Sequence, residues 1–87
     1  MTVDQYIEKL SYKGFSFGED ALGFIYFGKE LTGSSDLVVN TAIEITLKAQ
    51  KTFDGSFYVS LLEGLKKEGI TTRRAAFRFA ESYNLLV

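Results

Sequence analysis

Lys66, Lys67, Arg73, Arg74 and Arg78 are five of the ten basic residues in this 87-residue chain, and they include all three arginines. A guanidinium presents a planar fork of N–H donors that grips phosphate or carboxylate at two points, so such a cluster points to an anionic partner such as DNA. Arg73 stands four positions before Phe77, and Arg74 four before Arg78. On a helix the first spacing sets a cation beside an aromatic ring, a pair suited to stacking on a base or holding a protein partner. The second sets like charges side by side on an outer face, a small cost that Glu81 can partly relieve. Lys66 and Lys67 fall in the last turn of a helix, where the dipole alone favours cations.

Two other stretches invite a chemical reading. Gly23-Phe24-Ile25-Tyr26-Phe27-Gly28-Lys29 has the spacing of a phosphate-binding loop, but Glu30 stands where the magnesium-binding hydroxyl belongs. Its four intervening residues are bulky, whereas a loop that wraps phosphate needs small ones, so the glycines are expected to relieve crowding between aromatics instead. Glu19 and Asp20 are adjacent carboxylates, and at a helix start they serve the positive end of the dipole rather than a metal. Histidine and cysteine are both missing, which removes the usual metal ligands, the usual general base and any disulfide framework. No cofactor or metal is expected. Asp20, Tyr26, Lys29 and Glu30 remain as unusual catalytic groups, and no spacing selects them, so the chain reads as a non-enzyme.

The elements that must carry these residues follow from periodicity. Residues 2–13 read as a helix with Thr2 as N-cap and Val3, Tyr6, Ile7 and Leu10 on one face, ended by Gly14. Residues 14–33 stay open. Alternation of Phe15 with Phe17, and of Leu22, Phe24 and Tyr26, suits a short hairpin within residues 14–28, while Asp20, Ala21, Leu22, Ile25 and Leu31 suit a glycine-weakened helix, the preferred reading. Ser34 or Ser35 caps a helix over 34–51 with Leu37, Val38, Ala42, Ile45 and Ala49 inward, and Glu44 and Lys48 paired four apart. The competing reading pairs Ile43, Ile45 and Leu47 as a strand with a turn at Asp54-Gly55. Residues 56–68 form the next helix, Gly69 its terminator, and Thr71 or Thr72 starts a last helix to about 86 whose inward stripe is Ala76, Phe79, Ala80, Tyr83 and Leu86. The fold class is therefore all-α, a small four- or five-helix domain spanning residues 1–87. Helices 56–68 and 72–86 also have the outline of a helix-turn-helix whose reading helix begins Thr71-Thr72-Arg73-Arg74.

Composition supports a packed core and constrains the setting. Apolar residues make up 46% of the chain, with eight phenylalanines and five tyrosines, enough aromatic bulk for a domain too small to bury much surface otherwise. The net charge of −1 is unevenly divided: residues 1–61 hold five basic and eight acidic groups, residues 62–87 five basic and three acidic. The C-terminal part thus carries a modest bias toward an anionic partner. Asp4 and Glu8 stand where a signal peptide would be positive and apolar, and no apolar run is long enough to cross a bilayer, so a cytoplasmic protein without a membrane partner is expected.

Residues 42–72, AIEITLKAQKTFDGSFYVSLLEGLKKEGITT, resemble the C-terminal domain of the DnaD/DnaB-like primosome proteins. Ala42-Ile43, Phe57-Tyr58, Leu61-Leu62, Leu65 and Gly69-Ile70 follow that family's register, with Leu65 where the family has tryptophan and one extra residue in the connection. The resemblance covers about a third of the chain. It implies an all-α replication-initiation module that binds DNA weakly and self-associates, with Lys66, Lys67, Arg73 and Arg74 at the positions of the DNA-contacting region. The function expected is a binding module of DNA replication that uses the basic helix 72–86. The alternative is a small phage or bacterial regulator that holds a host protein, or blocks it, through an aromatic surface of Phe15, Phe17, Phe24 and Tyr26, with Phe77 as a further contact. Homo-oligomers are compatible with either.

Overall fold

The computed structural model describes residues 1–86, and they form five helices: α1 (Val3–Tyr12), α2 (Glu19–Thr32), α3 (Asp36–Gln50), α4 (Gly55–Lys67) and α5 (Arg73–Ser82). Each start except that of α2 is fixed by a side-chain cap. Thr2 and Gln5 make a reciprocal capping box on α1, and the side chains of Ser35, Asp54 and Thr72 accept from the backbone N–H three residues on. Asp54 is thus a helix cap and not part of a hairpin turn. Among the described residues there is no strand, and the possible hairpin at 14–28 is replaced by an extended link, residues 15–18, running into α2.

Helix α3 is the centre of the molecule, packing against each of the other four helices. Val38, Val39, Thr41, Ala42, Ile43, Ile45 and Thr46 are all buried, which is more than one face of a helix. Burial on several sides explains why its sequence also alternates like a strand: Ile43 and Ile45 are both fully buried although positions two apart on a helix fall on different sides, and Thr46 satisfies its hydroxyl on the Ala42 carbonyl at 2.7 Å. Leu37, expected inward, lies exposed near the start of the helix.

Helices α2 and α4 run parallel, since Gly28 packs on Tyr58 and Leu62 while the end of α2 and Lys66 line one cleft. Gly28 is required here. A Cβ on it would sit 2.8 Å from Tyr58 Cε2 and 3.0 Å from Leu62 Cδ1. Tyr58 is fully buried and donates its hydroxyl to the Ile25 carbonyl at 2.7 Å, tying the two helices together. Burial pushes the Tyr58 hydroxyl well above its ordinary value of 10.

Helix α5 packs on α3, and Ala76 and Ala80 are fully buried on its inner face. It stops at Ser82, before the expected residue 86. Asn84 adopts a left-handed backbone (φ 58°), and the Leu85 N–H reaches back to the Ala80 carbonyl at 2.8 Å, the turn that ends a helix and folds the following apolar residue onto it. Leu85 and Leu86 pack against the core from this turn, while Tyr83, expected inward, is 62% exposed and rests on Phe79 with ring centroids 4.7 Å apart. None of the helices is long and apolar enough to cross a membrane.

Candidate functional site

The basic cluster does not act as one group. Arg73 is committed within the fold: its Nε and Nη2 donate to the two carboxylate oxygens of Glu44 on α3 at 3.1 and 2.8 Å, and its guanidinium lies 4.6 Å from the centroid of Phe77. The expected Glu44–Lys48 pair is therefore not made. A fork that matches both carboxylate oxygens outcompetes the point charge of a lysine one turn away. Glu44 in turn holds the Arg73 guanidinium above its ordinary range, and burial, with the charge of Glu44, raises the hydroxyl of neighbouring Tyr6. Lys66, Lys67, Arg74 and Arg78 are exposed and pair with no carboxylate among the described residues, Glu81 included. The two lysines close α4, and the two arginines share the outer face of α5.

The five aromatic residues named as a partner surface are distributed over different parts of the molecule. Phe77 lies half-buried under Arg73. Phe17 packs edge-on against Phe53 at 5.6 Å and belongs to the border of the core. Phe15 lines a groove of about 330 Å³ between the 14–18 link and the end of α3. Tyr26, on the flank of α2 away from Phe24, donates its hydroxyl to Asp4 on α1, and that bond pushes its pKa up to about 12. Phe15 and Tyr26 are about as exposed as Phe24, at 42%, 40% and 42%, but Phe24 is the one of the five that shares a helix row with further exposed apolar side chains.

That surface runs along α2 and includes two residues that sequence reasoning missed. Phe24, Phe27 and Leu31 are 42%, 57% and 48% exposed, and their spacing of three and four aligns them in one row on the helix. With about 200 Å² for a whole side chain of this size, the row exposes on the order of 300 Å² of apolar surface, the size of the largest patch on many monomers and often a functional one. Phe24 is held against Gly55 at the start of α4, where any side chain would collide with its ring. Beside the row, Glu19, Asp20, Gly23, Phe24 and Phe27 line a shallow depression of about 350 Å³. Gly23 forms the gap: a Cβ there would meet nothing within 4 Å. The phosphate-loop spacing from Gly23 to Lys29 is continuous helix, and Lys29 pairs with Asp36 at 3.2 Å. Among the described residues no three carboxylates gather as a metal would need. The signal for Phe27 and Leu31 was present in the sequence, but it becomes legible only when residues 19–32 are assigned wholly to a helix.

Fold and surface together define a small all-α domain with an outward apolar row on α2 and exposed cations at the end of α4 and on α5. The chain belongs to a family of unknown function, DUF6123, whose model matches residues 1–86. No curated protein and no solved structure matches it.

Proposed function

We propose that this protein is a non-enzymatic binding module that engages another protein through the apolar row of α2. The observation supporting this reading is that Phe24, Phe27 and Leu31 face solvent on a helix whose other side already supplies Ile25, Gly28 and Thr32 to the interior. Nine large hydrophobic side chains are exposed among the described residues, and Phe24, Phe27 and Leu31 are three of them that share one row of a helix; aromatic anchors at the centre of a patch are the usual energetic core of an interface.

A second reading has its own support. Lys66, Lys67, Arg74 and Arg78 are exposed without carboxylate partners among the described residues, and the resemblance of residues 42–72 to the DnaD/DnaB-like domain favours weak DNA contact during replication. With four available cations, such binding would fall with salt at a log–log slope of about −3 to −4. Arg73, occupied by Glu44, contributes less than its position in the sequence suggests.

One experiment separates the two. Partners are captured from lysate on the immobilised chain, with and without nuclease, at low and physiological salt. The protein-binding reading expects a nuclease-resistant, salt-tolerant partner that is lost on Phe24→Ser/Phe27→Ser and kept on Arg74→Ala/Arg78→Ala. Capture that disappears with nuclease and with the arginine changes, but survives the phenylalanine changes, rejects it in favour of DNA.

A further inference from the structure

The apolar row of α2 has an acidic border, and that border restricts what can cover it. Asp20 lies in line with Phe24, Phe27 and Leu31, while Glu19, Gly23 and Glu30 form the adjoining row on the helix. All three carboxylates are exposed, and none forms an ion pair among the described residues. The positive end of the α2 dipole offsets part of the charge of Glu19 and Asp20, yet a net negative field remains around the row.

The depression over Gly23 combines two carboxylates, Glu19 and Asp20, with the rings of Phe24 and Phe27. Carboxylate oxygens take the N–H donors of a guanidinium or ammonium, and aromatic faces attract the same cation, so both halves of the lining select positive charge. A second copy presenting its own α2 would bring a matching set of carboxylates against these, and nucleic acid would bring phosphates, so both are disfavoured by like-charge repulsion. We propose that the occupant of this surface is an arginine- or lysine-rich amphipathic helix of a partner protein, with one cationic side chain seated in the Gly23 depression and apolar residues covering Phe27 and Leu31. This rests on the reading of α2 as a docking face and assigns the chemistry of what docks.

The test uses a fluorescent synthetic peptide of about 18 residues, long enough to hold an amphipathic helix, built from leucine, alanine and arginine, and a charge-inverted version with glutamate for arginine. Anisotropy is measured with the full chain and with Gly23→Leu, Glu19→Gln/Asp20→Asn, Phe27→Ser and Arg78→Ala. Gly23→Leu fills the depression where there is open space and replaces glycine by a better helix former, so it keeps the fold. The arginine peptide should bind the full chain, weaken roughly tenfold or more with Gly23→Leu and with Glu19→Gln/Asp20→Asn, and be unaffected by Arg78→Ala; the inverted peptide should not bind. Equal binding of both peptides, each lost on Phe27→Ser, overturns the cationic occupant while leaving α2 as a docking face. Binding of neither peptide above background also overturns it, and binding that ignores Phe27→Ser removes the docking face as well. Concentration-dependent self-association of the chain alone, abolished by Gly23→Leu in sedimentation, assigns the surface to a second copy and overturns the proposal.

Discussion

Gly23 and Gly28 lie five positions apart on one helix, and changing each to alanine should move stability in opposite directions. Gly23 has open space around its missing Cβ, so Gly23→Ala gains helix propensity without a clash, about 0.5–1 kcal/mol. Gly28→Ala gains the same propensity but drives a methyl into Tyr58 and Leu62, which are both fully buried; overpacking of this kind outweighs the gain and leaves a net loss of about 1–2 kcal/mol. Thermal unfolding of the two variants should differ in sign from the parent, at roughly 4–8 °C per kcal/mol for a domain of this size. The sequence suggested that glycines here relieve crowding between aromatics, which is true of Gly28 and untrue of Gly23, because only the helix phase tells which glycine faces Tyr58. Tyr58 also carries a pH signature. Its folded-state pKa is raised by burial, so the folded chain holds a proton that the unfolded chain releases above about pH 10. Stability should be full below that pH and fall as the pH rises beyond it. Tyr58→Phe should cost about 1 kcal/mol at neutral pH through the lost bond to Ile25 and should flatten this alkaline limb in denaturant titrations.

The ends of the helices show where sequence signals decide structure and where they do not. Thr2, Ser35, Asp54 and Thr72 all act as caps; a hydroxyl before an apolar-periodic run made Thr2 readable to the residue and Ser35 and Thr72 readable to within one neighbour, Ser34 and Thr71. Asp54 was read from the sequence only as a possible hairpin turn with Gly55, although Asp-Gly serves equally as a cap followed by the first helical residue; in the fold Gly55 lies under the Phe24 ring, a contact across 31 positions that no local pattern contains. Helix α5 was extended too far because asparagine was not weighed as a left-handed terminator, although Asn84 is one of the few residue types that tolerate that backbone. Lys51 ends α3 in the same left-handed region, at φ 65°, and lysine pays for it in steric strain. Lys51→Gly should therefore stabilise the chain by about 0.5–1 kcal/mol despite the added freedom of the unfolded state, measurable as a higher denaturant midpoint with an unchanged slope.

At the scale of the whole molecule, the five helices gather around α3 into a body with a Cα radius of gyration of 11.7 Å, close to the roughly 12 Å expected for a compact chain of this length. The all-α class was legible because apolar residues recur at helical spacing over most of the chain. The distribution of function over its surface was much less so, since charge clustering in sequence says nothing about which cations find carboxylates in space. Arg73 went to Glu44, four of the five named aromatics divided among core border, groove, helix flank and the Arg73 stack, and Phe24 joined Phe27 and Leu31 in the exposed row. That row is the proposed binding surface. The most direct test places the photocrosslinking residue p-benzoylphenylalanine at position 27 or, in a separate preparation, at position 78, and irradiates cells expressing each chain. A discrete nuclease-resistant protein adduct from position 27, and none from position 78, is the predicted result; adducts from position 78 alone, or adducts removed by nuclease, would contradict it.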